Sequence, residues 1–203
     1  EGAAVIEKAR SRGIETVVIP HRDHSDRHAF ESAVVAVLTA HAVELVVMAG
    51  FDRLVTTTLL GSFPQRVINI HPALLPGFKG LDAQSQALEY GARIAGATVH
   101  LVDERMDHGP IIVQAAVPIS GDDDAETVRQ RILAQEHVIY PFAIQLFAEG
   151  RIEIEGRRVR IRGEAAPSPD ASMPMSSVPS EGPNAGKTGR GARKLRRSRP
   201  RAH

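Results

Sequence analysis

The chain has 203 residues and no Cys, so disulfide bonds and thiolate chemistry are excluded. Apolar residues make up 42% of the sequence, and no apolar run reaches the roughly 18 residues of a membrane span. No signal peptide is visible, so we expect a cytoplasmic protein. The chain begins with Glu1 inside a helical pattern, and we expect the start of the protein to lie upstream.

The C-terminal segment 164–203 differs in composition from the rest of the chain. It contains eight Lys or Arg against three acidic residues, so residues 1–163 carry a net charge of −4 out of a total of +1. Pro, Ser and Gly make up 16 of its 40 residues, which predicts a disordered basic tail. No aromatic residue interleaves with its Arg residues, as base stacking would require, so we expect at most weak binding to nucleic acid. We also expect no membrane partner.

Helices and strands alternate in the first part of the sequence. The pattern predicts a helix over 2–12 and a short β-branched strand over 15–20. Ser25 or Asp26 is placed to cap a helix that runs to about residue 41. The continuous apolar run at 44–50 predicts a strand buried on both faces.

The second part predicts further alternation and then a long helix. The expected elements are a helix at 56–61, a strand at 66–70, a helix at 83–91, strands at 97–103 and 110–119, a helix over 122–150 kinked at Pro141, and a strand pair that turns at Glu155-Gly156. This order predicts an α/β domain over 1–163, with a mainly parallel sheet flanked by helices. Ligands of such sheets bind beyond the carboxyl ends of the strands.

Two polar side chains stand where the strand 66–70 ends. Asn69 and His71, in "NIHPALLPGFKG", are two residues apart on extended chain and point the same way. Asn can donate a hydrogen bond to an oxyanion, and His can move a proton near neutral pH. The two following prolines, Pro72 and Pro76, predict a stiff loop that holds both groups in place.

A third polar group lies in the turn "DERMDHGP" between two apolar strands. A carboxylate at Asp107 would orient a nearby His71 ring and favour its charged form. Amide, imidazole and carboxylate together suit attack on a carbonyl carbon. The alternative is that all three residues are turn formers or caps, which are common at strand ends.

Three motifs, "NIHPALLPGFKG", "GATVHLVDERMDHGPIIVQ" and "QEHVIYP", resemble the phosphoribosylglycinamide formyltransferase family in order and spacing. The resemblance covers about Gly2 to Ile161. It implies a Rossmann-like formyltransferase fold and transfer of a formyl group from 10-formyltetrahydrofolate to the amine of glycinamide ribonucleotide in purine synthesis. No metal takes part in that chemistry.

The resemblance also implies roles for individual residues. Asn69 would stabilise the oxyanion, and His71 would donate the proton. Asp107 would favour the protonated form of His71. The folate site would comprise Arg27, Asp52, Arg53, Leu54, Val55, Asn69, Asp103, Glu104, Arg105, Met106 and Asp107. The glycinamide substrate would be held by Leu133, Ala134, Gln135 and Glu136, with Glu136 as the charged contact.

The chain departs from the family pattern at several places. The first strand of the family, its Gly-rich phosphate loop and the next helix have no counterpart in the sequence. Lys79 and Asp82 replace Pro and His in the loop after "LLP", and Asp82 either pairs with Lys79 or alters a substrate contact. His108 stands where the family has a small or uncharged residue.

Two other functions fit parts of the sequence. Formyltetrahydrofolate deformylase uses similar Asn, His and Asp residues, but it has a second His where this chain has Pro72. An inactive truncated copy with a nucleic-acid-binding tail is the alternative from another class.

The other histidines are not expected to form a site. His21, His24 and His28 lack a metal-ligand spacing and are expected to be loop or helix-surface residues. His100 is expected to be a partly buried, hydrogen-bonded residue.

Overall fold

The computed structural model describes residues 4–51 and 53–163. The predicted tail 164–203 and Asp52 therefore lie outside the described residues, and the proposed division into two domains stays a prediction. Among the described residues, no helix combines the length and apolar character that a membrane span requires.

The elements follow one another largely as predicted. The helices are α1 (Ala4–Arg10), α2 (Arg27–Ala40), α3 (Thr57–Ser62), α4 (Ala83–Tyr90) and α5 (Ala125–Ala148), with a short 3-10 helix at His21–Asp23. The strands are β1 (Val46–Met48), β2 (Val67–His71), β3 (Ile94–Leu101), β4 (Ile111–Pro118), β5 (Ile152–Glu155) and β6 (Arg158–Ile161).

Capping residues explain where the helices begin. The Asp26 carboxylate accepts a hydrogen bond from the Ala29 N–H at the start of α2, and Asp124 does the same for Thr127 at the start of α5. Helix α4 ends at Gly91, which adopts the left-handed conformation typical of a glycine C-cap. Helix α5 continues through Pro141.

The four-stranded sheet has the order β1-β2-β3-β4. Strands β1 and β2 are parallel, but β2 pairs with β3 and β3 with β4 in antiparallel fashion. The α/β class is confirmed, and the sheet of the described residues is mixed rather than mainly parallel. The link 102–110 between β3 and β4 is too short for the helical crossover that parallel neighbours need.

The predicted strand at 15–20 is not formed. Strand β1 is an edge of the sheet, and residues 15–20 pair with none of its strands. Residues 15–20 have the β propensity of a strand, but without a hydrogen-bonding neighbour this propensity does not produce one. The side chains of Val17 and Val18 are exposed. The prediction that 44–50 forms a strand buried on both faces is also wrong: β1 has three residues, and Val47 is exposed.

The core lies where α5 packs on β3 and β4. Its members include the fully buried Ile68, Val99, Val128, Ile132 and Leu146. A second apolar cluster joins β1, the start of β2 and α3 to the inner face of α2. The hairpin β5-β6 is confirmed, with its turn at residues 156–157, one residue beyond the predicted Glu155-Gly156. It packs against the main core through Ile152, Ile154, Val159 and Ile161.

Candidate active site

A cavity of about 560 Å³ opens beyond the carboxyl ends of β1 and β2. Five parts of the chain line it: the segment after β1, the end of β2, the start of α4, the β3-β4 loop and one face of α5. The position agrees with the expectation that ligands of α/β sheets bind beyond the strand ends. A cavity of this size suits a small organic ligand.

His71 ends β2 and reaches the floor of this cavity. Its Nδ1 lies 3.4 Å from Oδ2 of Asp107, and its Nε2 lies 2.8 Å from the carbonyl oxygen of Phe78. Both neighbours are hydrogen-bond acceptors, so the protonated ring finds an acceptor for each N–H. The imidazole is therefore held in one orientation through both of its ring nitrogens.

Asp107 is presented to His71 by a constrained loop. Its φ is 45°, in the left-handed region, and its Oδ2 also accepts a hydrogen bond of 2.8 Å from the Gly80 N–H. Close packing of the same loop requires Gly109, where an added Cβ would lie 1.8 Å from the Leu101 carbonyl oxygen. The predicted pairing of His71 with Asp107 is thus present, between the end of β2 and the β3-β4 loop.

A second buried histidine faces the same carboxylate. His100 Nδ1 donates to the Leu101 carbonyl oxygen at 2.7 Å, and its Nε2 lies 3.8 Å from Oδ1 of Asp107, too far for a hydrogen bond. Burial lowers the pKa of His100, although Asp107 opposes the shift. His100 is fully buried rather than partly buried, and its Nε2 has no partner among the described residues, which corrects the expectation.

Asn69 lies on the same strand as His71 and lines the cavity. Its amide makes no hydrogen bond to another described side chain or backbone group, so its donor is free for a ligand oxygen. Asn69 and His71 are thus brought together with Asp107 at one cavity, as the sequence pattern predicts.

The loop after His71 is fastened to the sheet by buried polar side chains. Thr98 Oγ1 donates to the Ala73 carbonyl oxygen at 2.7 Å and accepts from the Leu75 N–H at 3.1 Å. Gln114 Nε2 donates to both the Leu75 carbonyl oxygen and Thr98 Oγ1 at 3.0 Å. The loop is therefore rigid because β3 and β4 hold its backbone, and not through its prolines alone.

The residues predicted for the folate site separate into two groups. Arg53, Leu54, Val55, Asp103, Arg105 and Met106 line the cavity. Arg27 is the exposed first residue of α2, Glu104 is an exposed loop residue, and neither is among the lining residues. Asp52 lies outside the described residues, and the assignment of these residues to the folate site stays a prediction.

One face of α5 forms the opposite wall. Leu133 and Glu136 line the cavity, whereas Ala134 and Gln135 do not. Burial raises the pKa of the Glu136 carboxyl, and the nearby His137, His71 and Arg129 oppose the shift. Arg129, Leu133 and Glu136 follow the spacing of one helix face, so the periodicity of α5 could have identified Arg129, which the sequence reasoning missed.

The departures at Lys79 and Asp82 have different positions. Asp82 precedes α4 in the left-handed conformation, makes no capping hydrogen bond with its side chain, and lines the cavity. Lys79 is exposed, and no ion pair joins it to Asp82 within the described residues. The pairing with Lys79 is therefore not formed, and an altered substrate contact at Asp82 stays a prediction.

The remaining histidines of the N-terminal part occupy peripheral positions. His21 and His28 are exposed and contact Arg53 and Thr58 through their rings, and His24 packs edge-on against Phe30. Within residues 4–51 and 53–163, no cluster of three His or acidic residues has the arrangement of a metal site.

Comparison with known proteins gives consistent results. Residues 1–144 match the family described as formyl transferase. The phosphoribosylglycinamide formyltransferase of Bacillus subtilis is 46% identical over 143 residues, which are 70% of this chain and 73% of that protein.

Solved structures extend the similarity to the fold. Glycinamide ribonucleotide transformylase 1 from Symbiobacterium toebii is 52% identical with a TM-score of 0.78, over 79% of this chain and 76% of that one. A formyltetrahydrofolate deformylase from Pseudomonas syringae is 25% identical with a TM-score of 0.73, over 77% of this chain and 52% of that one.

Proposed function

The chain belongs to the formyl transferase family, and we propose that it transfers the formyl group of 10-formyltetrahydrofolate to the amine of glycinamide ribonucleotide, a step of purine biosynthesis. The single observation that carries this proposal is the contact of His71 with Asp107 beside Asn69, at the floor of a cavity large enough for a folate ring. The relatives named phosphoribosylglycinamide formyltransferase support this substrate pair over hydrolysis of the same donor.

Asn69, His71 and Asp107 have different roles in acyl transfer. The substrate amine attacks the formyl carbon and forms a C–N bond, and the carbonyl oxygen becomes negatively charged. The free amide of Asn69 donates a hydrogen bond to that oxygen as the charge develops. The bond from the formyl carbon to the folate nitrogen then breaks.

His71 donates a proton in this reaction. In the protonated ring the Nε2–H exchanges the Phe78 carbonyl oxygen for the departing folate nitrogen, while the Nδ1–H stays with Asp107. The amine proton lost on attack then restores the donated one. Asp107 stabilises the imidazolium and fixes the ring, because its Oδ2 lies 3.4 Å from Nδ1. Every proton that leaves the amine thus ends on tetrahydrofolate, and no water is consumed.

The two walls of the cavity suit different reactants. The segment after β1 and the β3-β4 loop offer mixed apolar and polar side chains, among them Leu54, Val55 and Met106, which fit the flat ring of the donor. The α5 wall carries Glu136, whose carboxylate complements an amine or the hydroxyl groups of a ribose. The folate side and the nucleotide side therefore meet at His71.

The test is tetrahydrofolate release from 10-formyltetrahydrofolate by the full chain, with and without glycinamide ribonucleotide. We expect release only when the amine is present, together with formation of the formylated nucleotide. Release without the amine would identify a deformylase instead. A folded protein that releases nothing under either condition would contradict the proposal.

A further inference from the structure

A chain of hydrogen bonds joins the β5-β6 hairpin to the loop that carries Asp107. His108 Nδ1 lies 2.7 Å from Oδ2 of Asp103, at the other end of the loop. Arg157, at the turn of the hairpin, donates through Nη2 to the His108 carbonyl oxygen at 2.6 Å, and its Nη1 lies 3.2 Å from Nε2 of the same ring. We call this set of three residues, Asp103, His108 and Arg157, the strap.

Two directed hydrogen bonds run along the strap: His108 Nδ1–H donates to Asp103 Oδ2, and the Arg157 guanidinium donates to the His108 carbonyl oxygen. Arg157 Nη1 lies 3.2 Å from both Nδ1 and Nε2, so it rests against the imidazole ring rather than in line with one nitrogen. Asp103 is further occupied by the Arg105 N–H, at 2.9 Å from Oδ1. Burial acts to raise the pKa of Asp103, but the His108 and Arg105 hydrogen bonds lower it overall, so the strap contains a carboxylate ion.

The strap closes the ends of the segment in which Asp107 lies. Asp107 itself adopts a left-handed backbone conformation that a non-glycine residue seldom adopts without support. Its carboxylate must reach His71 and the Gly80 N–H at the same time. Strained positions of this kind persist only where the surrounding contacts determine them.

We propose that Arg157 and His108 are positioning residues that aim the Asp107 carboxylate at His71. They do not touch the reacting atoms; they act by holding the loop from its outer side. The kinetic part of this proposal rests on the proposed function, whereas the structural part does not. His108, which departs from the family pattern, is thereby given a role together with a hairpin residue that no sequence motif marked.

Hydrogen exchange at the Gly80 amide tests the structural part without any turnover. This N–H donates to Asp107 Oδ2, so its exchange reports whether the carboxylate stays in place. We expect Arg157→Ala and His108→Ala each to speed exchange at Gly80 by at least about threefold, through local opening of the loop. His108→Asn keeps an N–H donor at the position of Nδ1 and should restore much of the protection.

The kinetic test separates positioning from a general loss of structure. In Arg157→Ala we expect kcat/KM for the formyl donor to fall roughly three- to tenfold, with an unchanged KM for the nucleotide, which binds at the α5 wall. Arg158→Ala is the matched control, because Arg158 is an exposed neighbour in the hairpin without a hydrogen bond to the loop.

Two results would overturn the proposal. One is wild-type exchange at Gly80 and wild-type kcat/KM in a folded Arg157→Ala variant. The other is an equal loss in Arg158→Ala, which would mean that the hairpin matters only for stability. If the wild-type chain transfers no formyl group, the proposed function fails, and exchange at Gly80 still decides on the strap.

Discussion

Nδ1 of His71 lies 3.4 Å from Oδ2 of Asp107, and the two side chains are only 6% and 10% exposed. A buried imidazole and a buried carboxylate in contact depend on each other, because removal of His71 leaves the Asp107 carboxylate without its side-chain partner. The second nitrogen of His71 is occupied by the Phe78 carbonyl oxygen. The pair is therefore a fixed unit whose members can be tested separately.

Replacement of His71 by Asn should remove proton transfer while it keeps an N–H donor near the position of Nδ1. We expect turnover to fall by about 10²- to 10⁴-fold, the usual contribution of general acid–base catalysis. His71→Ala should be impaired to a similar degree. Formyl transfer under saturating substrates measures the loss, and circular dichroism checks that the fold is retained.

His41→Ala is the control for this experiment. His41 is exposed at the end of α2 and contacts the Val37 carbonyl oxygen and Glu15. We expect normal turnover from this variant. Normal turnover in a folded His71→Asn variant as well would remove His71 from the mechanism.

Asp107 can be tested without disturbance of its backbone. Asn tolerates the left-handed conformation of this residue, so Asp107→Asn should fold like the wild type and lose at least about tenfold in kcat/KM. Ala tolerates that conformation poorly, and Asp107→Ala should lose a further 1–2 kcal/mol or so of stability.

The difference between the two Asp107 variants should be visible in thermal unfolding. For a domain of this size, about 1 kcal/mol corresponds to roughly 2–4 °C in Tm. Equal Tm values for Asp107→Asn and Asp107→Ala would show that the backbone at this position is not strained. An active Asp107→Asn variant would show that the charge of the carboxylate is not needed.

The sequence alone predicts those parts of the site and of the fold that depend on local spacing. Asn69 and His71 share one side of β2 because side chains two residues apart on a strand do so. Asp26 and Asp124 begin their helices because capping is local. These features need no knowledge of the rest of the fold.

The features that the sequence did not reveal depend on contacts distant in the chain. Residues 15–20 have the composition of a strand, but strand formation depends on a neighbour. Nothing in a local pattern places His100 against Asp107, or Arg157 against His108. The short link 102–110 makes β4 antiparallel to β3, but the antiparallel pairing of β3 with β2, across a segment that contains α4, is not visible in the alternation of elements.

Thr98 offers a test of loop rigidity away from the reacting atoms. Thr98→Val keeps the shape of the side chain but leaves the Ala73 carbonyl oxygen and the Leu75 N–H without their partner. We expect a loss of about 1–3 kcal/mol in the free energy of unfolding, the cost of a buried unsatisfied polar group. Turnover should fall as well, because Asn69 and His71 precede the loosened loop.

Thr98→Ser is the matched control, since it keeps the hydroxyl group and removes only a methyl group. Urea unfolding and formyl transfer should both leave this variant closer to the wild type than Thr98→Val. If Thr98→Val is destabilised but retains full turnover, the hydroxyl group serves the fold and not the geometry of the site.

Glu136 should show a conflict between stability and function. Burial raises the pKa of its carboxyl in the folded protein above the usual value. Between the unfolded and the folded pKa the folded state binds more protons, so this residue lowers stability as the pH rises through that interval. At neutral pH Glu136→Gln should therefore be more stable than the wild type, and the difference should shrink as the pH falls through that interval and vanish below about pH 4, near the unfolded pKa.

The same substitution should weaken binding of the nucleotide substrate, because Gln lacks the negative charge that complements an amine. We expect KM for glycinamide ribonucleotide to rise by roughly tenfold, and KM for the formyl donor to stay unchanged. Thermal unfolding from about pH 3 to 8 together with steady-state kinetics measures both effects. Glu149→Gln, at the exposed C-terminal end of α5, is the control. A Glu136→Gln variant that binds the nucleotide normally would place the substrate elsewhere in the cavity, and one without a stability gain at neutral pH would show that the carboxylate is well solvated.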